Sequence, residues 1–231
     1  MTIRELYAHG IKGSAPFLAR MLQPIDNRKV SFCAGQFLAE MKPTRSQIIL
    51  DLGGPGRITS VVKESCKADV ISLNISMEQL RSKGPSGIMR VLGDGLRLPL
   101  KNSSVDFVLA DNLIEHIPRK SRRSFALECR RVARRGLFLT TPNYWFPFEP
   151  HYFIPFFQYL PHMMRKWILG KTNLGWIKRG FYEEIDLLSS RELQSLFPEA
   201  HVRRWMLEGL ILYEGFYHAA SGSLRLESAP S

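Results

Sequence analysis

Apolar residues in this chain fall into short runs, each closed by a polar residue or a glycine. Ile48-Ile49-Leu50 ends at Asp51; Gly53, Gly54 and Gly56 follow, and then a polar–apolar pattern of helical period. That order predicts a buried strand, a tight turn and the start of a helix. The design recurs. Val70-Ile71-Ser72-Leu73 ends at Asn74, and Ile88-Met89-Arg90-Val91-Leu92 leads into Gly93-Asp94-Gly95-Leu96 and then Leu98-Pro99. A fourth run, Val105 to Ala110, ends at Asp111-Asn112, with Leu113-Ile114-Glu115-His116-Ile117 behind it. A fifth, Gly136 to Thr141, ends at Pro142-Asn143. Strands alternating with helical stretches imply right-handed βαβ units and a parallel sheet. Polar groups recur at successive strand C-termini, where open α/β sheets bind ligands.

Helical periodicity over Ala15 to Leu22 and Ser31 to Met41 predicts two helices before the sheet, separated by Gln23-Pro24-Ile25-Asp26-Asn27. Phe17, Leu18, Met21 and Leu22 could make one apolar face, and Phe32, Phe37 and Leu38 another. The stretch from Arg119 to Arg135 reads as one basic helix, with Phe125, Leu127, Cys129 and Val132 available for its core side. Near the C-terminus a helix opens at Ser190-Arg191-Glu192-Leu193, with Ser190 as N-cap, and Phe197-Pro198 ends it. Val202 to Leu207 and Leu210 to Tyr217 read as the last two strands.

The expected organisation is a single domain over 1–231. Within it lie an N-terminal helical cap (1–45), a ligand-binding core (46–145), an insert acting as a lid (146–185), a C-terminal helix with strands (186–220) and a tail (221–231). The chain has 231 residues, of which 45% are hydrophobic, enough for one core. No apolar run approaches the ~18 residues of a spanning helix, and the first residues lack the apolar core of a signal peptide. Cys33, Cys66 and Cys129 are far apart and odd in number, so reduced thiols and a cytoplasmic setting are expected, with no metal site. The net charge of +11 favours nucleic acid, an anionic membrane surface or an acidic substrate, or is plain solubility. The arginines cluster at Arg119 to Arg123, Arg130-Arg131 and Arg134-Arg135.

Taken together, Asp51-Leu52-Gly53-Gly54-Pro55-Gly56, Gly93-Asp94 with Leu98-Pro99, the strand around Asp106-Phe107 and Leu113-Glu115-His116-Ile117 resemble the class I S-adenosylmethionine-dependent methyltransferases, in particular the type 11-like subgroup. The likeness covers roughly residues 46 to 145 well and the C-terminal third more loosely. It implies a Rossmann-like, doubly wound α/β sheet of about seven strands, mostly parallel with a last antiparallel strand. N-terminal cap helices and an insert after strand five go with it. The glycine spacing differs from Gly-x-Gly-x-x-Gly, which dinucleotide binders use to cradle a pyrophosphate.

The resemblance also implies roles. Asp51, Gly53, Gly54 and Gly56 would meet the methionine end of the cofactor, with Pro55 in the first helical turn. Asn74 stands where the subgroup usually has an acid that accepts from both ribose hydroxyls. An asparagine offers one acceptor and one donor group, so binding weaker by ~1–2 kcal/mol is expected, and Asn74→Asp should preserve or tighten it. Ile75 would lie against the adenine face, Asp94 would accept from the exocyclic amine, and Gly95 and Leu96 would offer backbone groups. Asp111 and Asn112 would sit near the sulfonium. The departure at Asn74 leaves open a non-catalytic binding module built on this fold.

The segment Pro142-Asn143-Tyr144-Trp145-Phe146-Pro147-Phe148-Glu149-Pro150-His151 resembles a subset with an aromatic, proline-stiffened insert at the active-site mouth. Residues two apart on an extended chain point to the same side, so Glu149 and His151 are the expected polar pair, as base or substrate orienter. His116 is a further candidate base, being the side-chain type best poised for proton transfer near neutral pH. The mixture of apolar and basic residues from Tyr159 to Tyr182 reads as a lid, or as an element touching anionic lipid. A small-molecule or lipid- or glycan-linked acceptor is expected, with RNA an alternative.

Overall fold

The computed structural model describes residues 16–54, 56–80, 86–149, 154–171, 185–207 and 210–219. A long helix α1 (Pro16–Met41) precedes strand β1 (Ile48–Leu52), helix α2 (Arg57–Cys66), strand β2 (Asp69–Asn74), a single turn α3 (Met77–Leu80) and strand β3 (Ile88–Leu92). Strand β4 (Val105–Asp111), a one-turn 3₁₀ helix (Ile114–His116), helix α4 (Arg119–Val132) and strand β5 (Ala133–Pro142) complete the parallel part. Then come a two-residue pairing of β6 (Phe148–Glu149) with β7 (Ile154–Pro155), a 3₁₀ turn (Phe157–Tyr159) and helices α5 (His162–Lys171) and α6 (Ser190–Leu196). Strands β8 (Ala200–Leu207) and β9 (Leu210–Ala219) end the described chain.

The main sheet has seven strands in the order β3-β2-β1-β4-β5-β9-β8. The first five are parallel; β9 runs antiparallel to β5, and β8 antiparallel to β9. Strand order reverses between β1 and β4, the place where the tips of an open sheet part to form a crevice. The centre of the sheet is buried on both sides, which is why β1, β4 and β5 read as nearly unbroken apolar runs. On one face Ile49, Val70, Phe107, Leu109 and Phe138 pack against α1 and α2. Phe37 lies edge-on between Phe107 and Phe138, with ring centroids at 6.1 and 5.5 Å. On the other face Leu50, Leu52, Val108, Leu137 and Leu139 pack against α4 and α6.

Several details differ from the sequence reading. The two N-terminal helices are one, running through Pro24. The buried set Val30, Cys33, Ala34 and Phe37 seats its second half on the sheet at helical spacing, and that packing outweighs the break a proline signals. Helix α4 stops at Val132, so Arg134 and Arg135 belong to β5 and both reach Asp106. Leu127 is exposed, whereas Arg122 is wholly buried. The N-cap of α6 is Ser189 rather than Ser190; its hydroxyl accepts from the Glu192 N–H.

Arg122 of the arginine cluster turns wholly inward, and several others pair with acids. Arg122 donates to the Ile117 and Asp186 carbonyls and pairs with Glu192, while Arg119 pairs with Asp186. Arg130 pairs with Glu199 and Arg131 with Glu128. These cations hold α4 to the segment entering α6 and to the loop before β4. Arg119, Arg134 and Arg135 keep more than half of their side-chain surface exposed while they pair.

Candidate functional site

The tips of β1, β2 and β4 meet at the crevice. Asp51, in β1, is 2% exposed, and its carboxylate turns into the glycine turn rather than toward solvent. Its Oδ2 accepts from the Gly56 N–H at 3.3 Å, and the Thr59 hydroxyl donates to the same group. Burial pushes its pKa up to about 7 against those two hydrogen bonds, with repulsion from Asp111 adding a little. Of the two partners expected for this acid, ammonium or loop backbone, the structure supplies the backbone.

The turn depends on both adjacent glycines. Gly53 has φ +84°, in the left-handed region, and its N–H donates to the Leu73 carbonyl at 2.9 Å. A Cβ on Gly54 would stand 1.7 Å from Asp51 Oδ2, so the carboxylate occupies the space a side chain would need. Gly56 precedes α2, whose first N–H groups and positive dipole end face the crevice side of the turn.

Asn74, 5% exposed at the tip of β2, is tied into this turn. Its Nδ2 donates to the Gly53 carbonyl at 2.8 Å and the Gly54 carbonyl at 3.3 Å, and its Oδ1 accepts from the Ser76 N–H at 2.9 Å. Two carbonyls on one side and an N–H on the other fix which end of the amide is which. A carboxylate could not donate to those carbonyls. The departure from the usual acid therefore has a structural use, and it no longer argues for a degenerate fold.

Ile75 follows with 74% of its surface exposed, an apolar face beside the strand tips. Asp94 is exposed, and its Oδ1 accepts from the Leu96 N–H at 2.9 Å, an Asx turn that shapes Gly95-Leu96. At the end of β4 Asp111 accepts from the Thr140 hydroxyl, and next to it Asn112 takes φ +48° while its N–H donates to the Thr140 carbonyl at 3.0 Å. His116 is half-buried in the 3₁₀ turn. Glu149 lies in β6, and His151 lies outside the described residues.

The strand tips also carry groups that pattern alone did not single out. Glu115 is completely buried; its Oε2 accepts from the Thr141 hydroxyl at 3.0 Å, and its Oε1 has no hydrogen-bond partner among the described residues. Thr140 and Thr141 thus serve an acid on each face of the sheet, Asp111 and Glu115. Two adjacent threonines closing an apolar strand were the available signal. Asn143 accepts from the Trp145 N–H at 3.2 Å and bridges to Leu188, fixing the exit of β5. Immediately after it, Tyr144, Trp145 and Tyr159 form a ring cluster with centroids 5.1 to 6.4 Å apart.

The methyltransferase-domain family model matches residues 50–140, from within β1 to within β5, and takes in the tips of β1, β2 and β4. Residues 50–140 are similar to methyltransferase domains. The fold agrees with solved structures. The S-adenosylhomocysteine-bound magnesium protoporphyrin IX methyltransferase of Synechocystis PCC 6803 is 15% identical, with 95% of this chain and 92% of that chain covered and a TM-score of 0.60. A putative sarcosine dimethylglycine methyltransferase from Galdieria sulphuraria is 19% identical, with 80% and 66% covered and a TM-score of 0.56. A putative methyltransferase from Haloferax volcanii, in complex with the Trm112 methyltransferase activator, is 14% identical, with 87% and 93% covered and a TM-score of 0.56. No curated protein is close enough in sequence to count as a match.

The magnesium protoporphyrin IX methyltransferase is solved with S-adenosylhomocysteine and also with S-adenosylmethionine bound. The residues of this chain fit that cofactor at both ends. Gly53 exposes backbone at the turn, α2 starts beside it, and Ile75, Gly95 and Leu96 supply an apolar edge with backbone groups. At the ribose position the donor side of the Asn74 amide already serves the turn.

Proposed function

We propose that the chain transfers the sulfonium methyl of S-adenosylmethionine to an oxygen, nitrogen or carbon nucleophile on a small-molecule or lipid- or glycan-linked acceptor with an apolar body. The observation that carries this reading is the Tyr144, Trp145 and Tyr159 ring cluster directly after β5, beside the tips that serve the cofactor. Aromatic walls with a few polar groups suit a small-molecule site.

When bound, the cofactor supplies an electrophilic methyl group that needs no further activation. Asp51, Gly53, Gly54, Gly56 and the start of α2 would hold its methionine end, with Asp94, Ile75, Gly95 and Leu96 at its adenine end. The ring cluster orients the acceptor and excludes water, so positioning supplies much of the rate. An oxygen or carbon nucleophile also has to lose a proton. Glu149 and His151 follow strand five in the chain, and His151 is the group we assign to that proton, with His116 the alternative.

The test is a transfer assay with radiolabelled S-adenosylmethionine over apolar acceptor fractions. Once an acceptor is found, His151→Ala should lower turnover while cofactor affinity stays within a few-fold. The parent rate should rise with pH through ~6.5, and the variant should lose that limb. Full turnover in His151→Ala removes it as the base; loss of cofactor binding instead moves it into the cofactor site.

A further inference from the structure

Beyond β5 a small satellite core of Phe157, Ile185 and Leu187, joined by Tyr144, Leu160 and Ile168, carries α5 on its outside. This core is anchored rather than loose. Arg165 on α5 donates to the Ile185 carbonyl at 3.2 Å, and the Asp186 N–H donates to the Glu115 carbonyl at 3.0 Å. Helix α5 is amphipathic in the reverse of the usual sense. Ile168 and Arg165 face inward, while Met163, Met164 and Trp167 are 79%, 50% and 62% exposed. Positions i, i+1 and i+4 fall on one side of a helix, so these three form a single outward apolar face, with exposed Lys166 on its flank. Phe156, 59% exposed at the start of the preceding 3₁₀ turn, adds to the apolar surface of the same insert.

Scattered exposed apolar residues are ordinary, but a concentrated face calls for an occupant. Charge selects among occupants. From His151 to Tyr182 the chain has no Asp or Glu, yet it holds Arg165, Lys166, Lys171, Lys178 and Arg179. The chain as a whole stands at +11. Trp and Met on one face with Lys166 on its flank match a bilayer surface, where rings and thioethers enter the headgroup–acyl boundary and cations meet anionic headgroups. An anionic surface attracts each nearby Lys or Arg, and salt weakens that attraction.

We propose that the outer face of α5, centred on Met163, Met164 and Trp167, docks this protein on an anionic lipid bilayer. This goes beyond the reading of the acceptor site, because it concerns the outside of the insert and stands whatever atom is methylated. With the ring cluster behind α5, docking would bring the acceptor entrance to the membrane surface, and the protein would work as a peripheral protein on the cytoplasmic side.

The experiment is flotation of the full chain with phosphatidylcholine vesicles and with vesicles mixing phosphatidylcholine and phosphatidylglycerol, with and without added salt. The parent should float with the mixed vesicles at least about tenfold more tightly than with phosphatidylcholine alone, and salt should weaken it. The exposed double substitution Met163→Ser with Trp167→Ser should lose at least about tenfold of that binding, and Lys166→Glu should lose part of it. Circular dichroism and S-adenosylhomocysteine binding should stay at parent values in both, which separates failure of docking from failure of the cofactor site. Three results overturn the proposal: no selective flotation of the parent, parent-like flotation of the double variant, or self-association in light scattering that the double variant abolishes. The last would make the face a contact between copies of the chain.

Discussion

Replacing Asn74 by Asp separates two accounts of the strand-two tip. By resemblance an acid there should hold the ribose hydroxyls better and gain ~1–2 kcal/mol of cofactor binding. By structure the Asn74 Nδ2 holds the Gly53 carbonyl at 2.8 Å and the Gly54 carbonyl at 3.3 Å. Asp keeps the acceptor for the Ser76 N–H but puts an oxygen where two carbonyls need a donor. Losing two hydrogen bonds of ~1 kcal/mol each accounts for ~2 kcal/mol. The site is 5% exposed, so desolvating a carboxylate against two carbonyl oxygens adds more. Protonation relieves part of this, since a neutral carboxyl can donate once. The sum is ~3 kcal/mol of lost stability at pH 7, or ~6–12 °C in Tm for a domain of this size.

The sign follows from linkage. The new acid's folded pKa lies above its unfolded ~3.9, so the loss is smallest below pH 4 and grows as pH rises through the folded pKa. Thermal unfolding at pH 4.5 and pH 8 and calorimetry with S-adenosylhomocysteine check both parts. The expected result is a stability gap that widens with pH and cofactor affinity reduced at least about tenfold. An unchanged Tm together with equal or tighter cofactor binding would refute the brace and restore the ribose role.

Further outcomes follow from the same turn. Gly54→Ala places a Cβ 1.7 Å from Asp51 Oδ2, so the turn must move; a fall in Tm and loss of S-adenosylhomocysteine binding are expected by scanning calorimetry and titration. The Asp51 carboxyl, raised to about 7 by burial, lends stability that is full below ~4 and lost as pH rises to about 7. Urea unfolding of the parent should therefore carry a downward contribution over that window, with about 4 kcal/mol as its upper bound. Asp51→Asn, which keeps an acceptor for Gly56, should remove it.

Much of the sheet was legible because its strands are short, buried on both faces and stopped by polar residues. The run Ile88 to Leu92 is β3 as observed, and Leu50-Asp51 and Leu73-Asn74 mark real strand ends. Helix ends were less legible. The register from α4 into β5 depends on Asp106 capturing Arg134 and Arg135, a contact 28 or 29 residues away in the chain. Within the site, a glycine turn announces itself by composition, and so does an acid at a strand tip. What each polar atom does is a long-range matter. The Asn74 amide reaches back 20 and 21 residues to the turn, and Glu115 reaches forward 26 residues to Thr141. No local pattern encodes either pairing. Arg122 shows the same limit: by composition it belongs to a solvated basic run, yet two carbonyls and Glu192 bring it inside.

The central claim is that the turn at the tip of β1 is the cofactor site. Calorimetric titration of S-adenosylhomocysteine into the parent and into Gly53→Leu tests it most directly. Gly53 sits at φ +84° with Leu113 only 3.1 Å from where a Cβ would lie, so a leucine there distorts the backbone that the cofactor must approach. The account predicts one-to-one binding by the parent and no measurable heat from the variant, with the variant's circular dichroism retained. Parent-like affinity in Gly53→Leu, or a folded parent that takes up no S-adenosylhomocysteine, would contradict it.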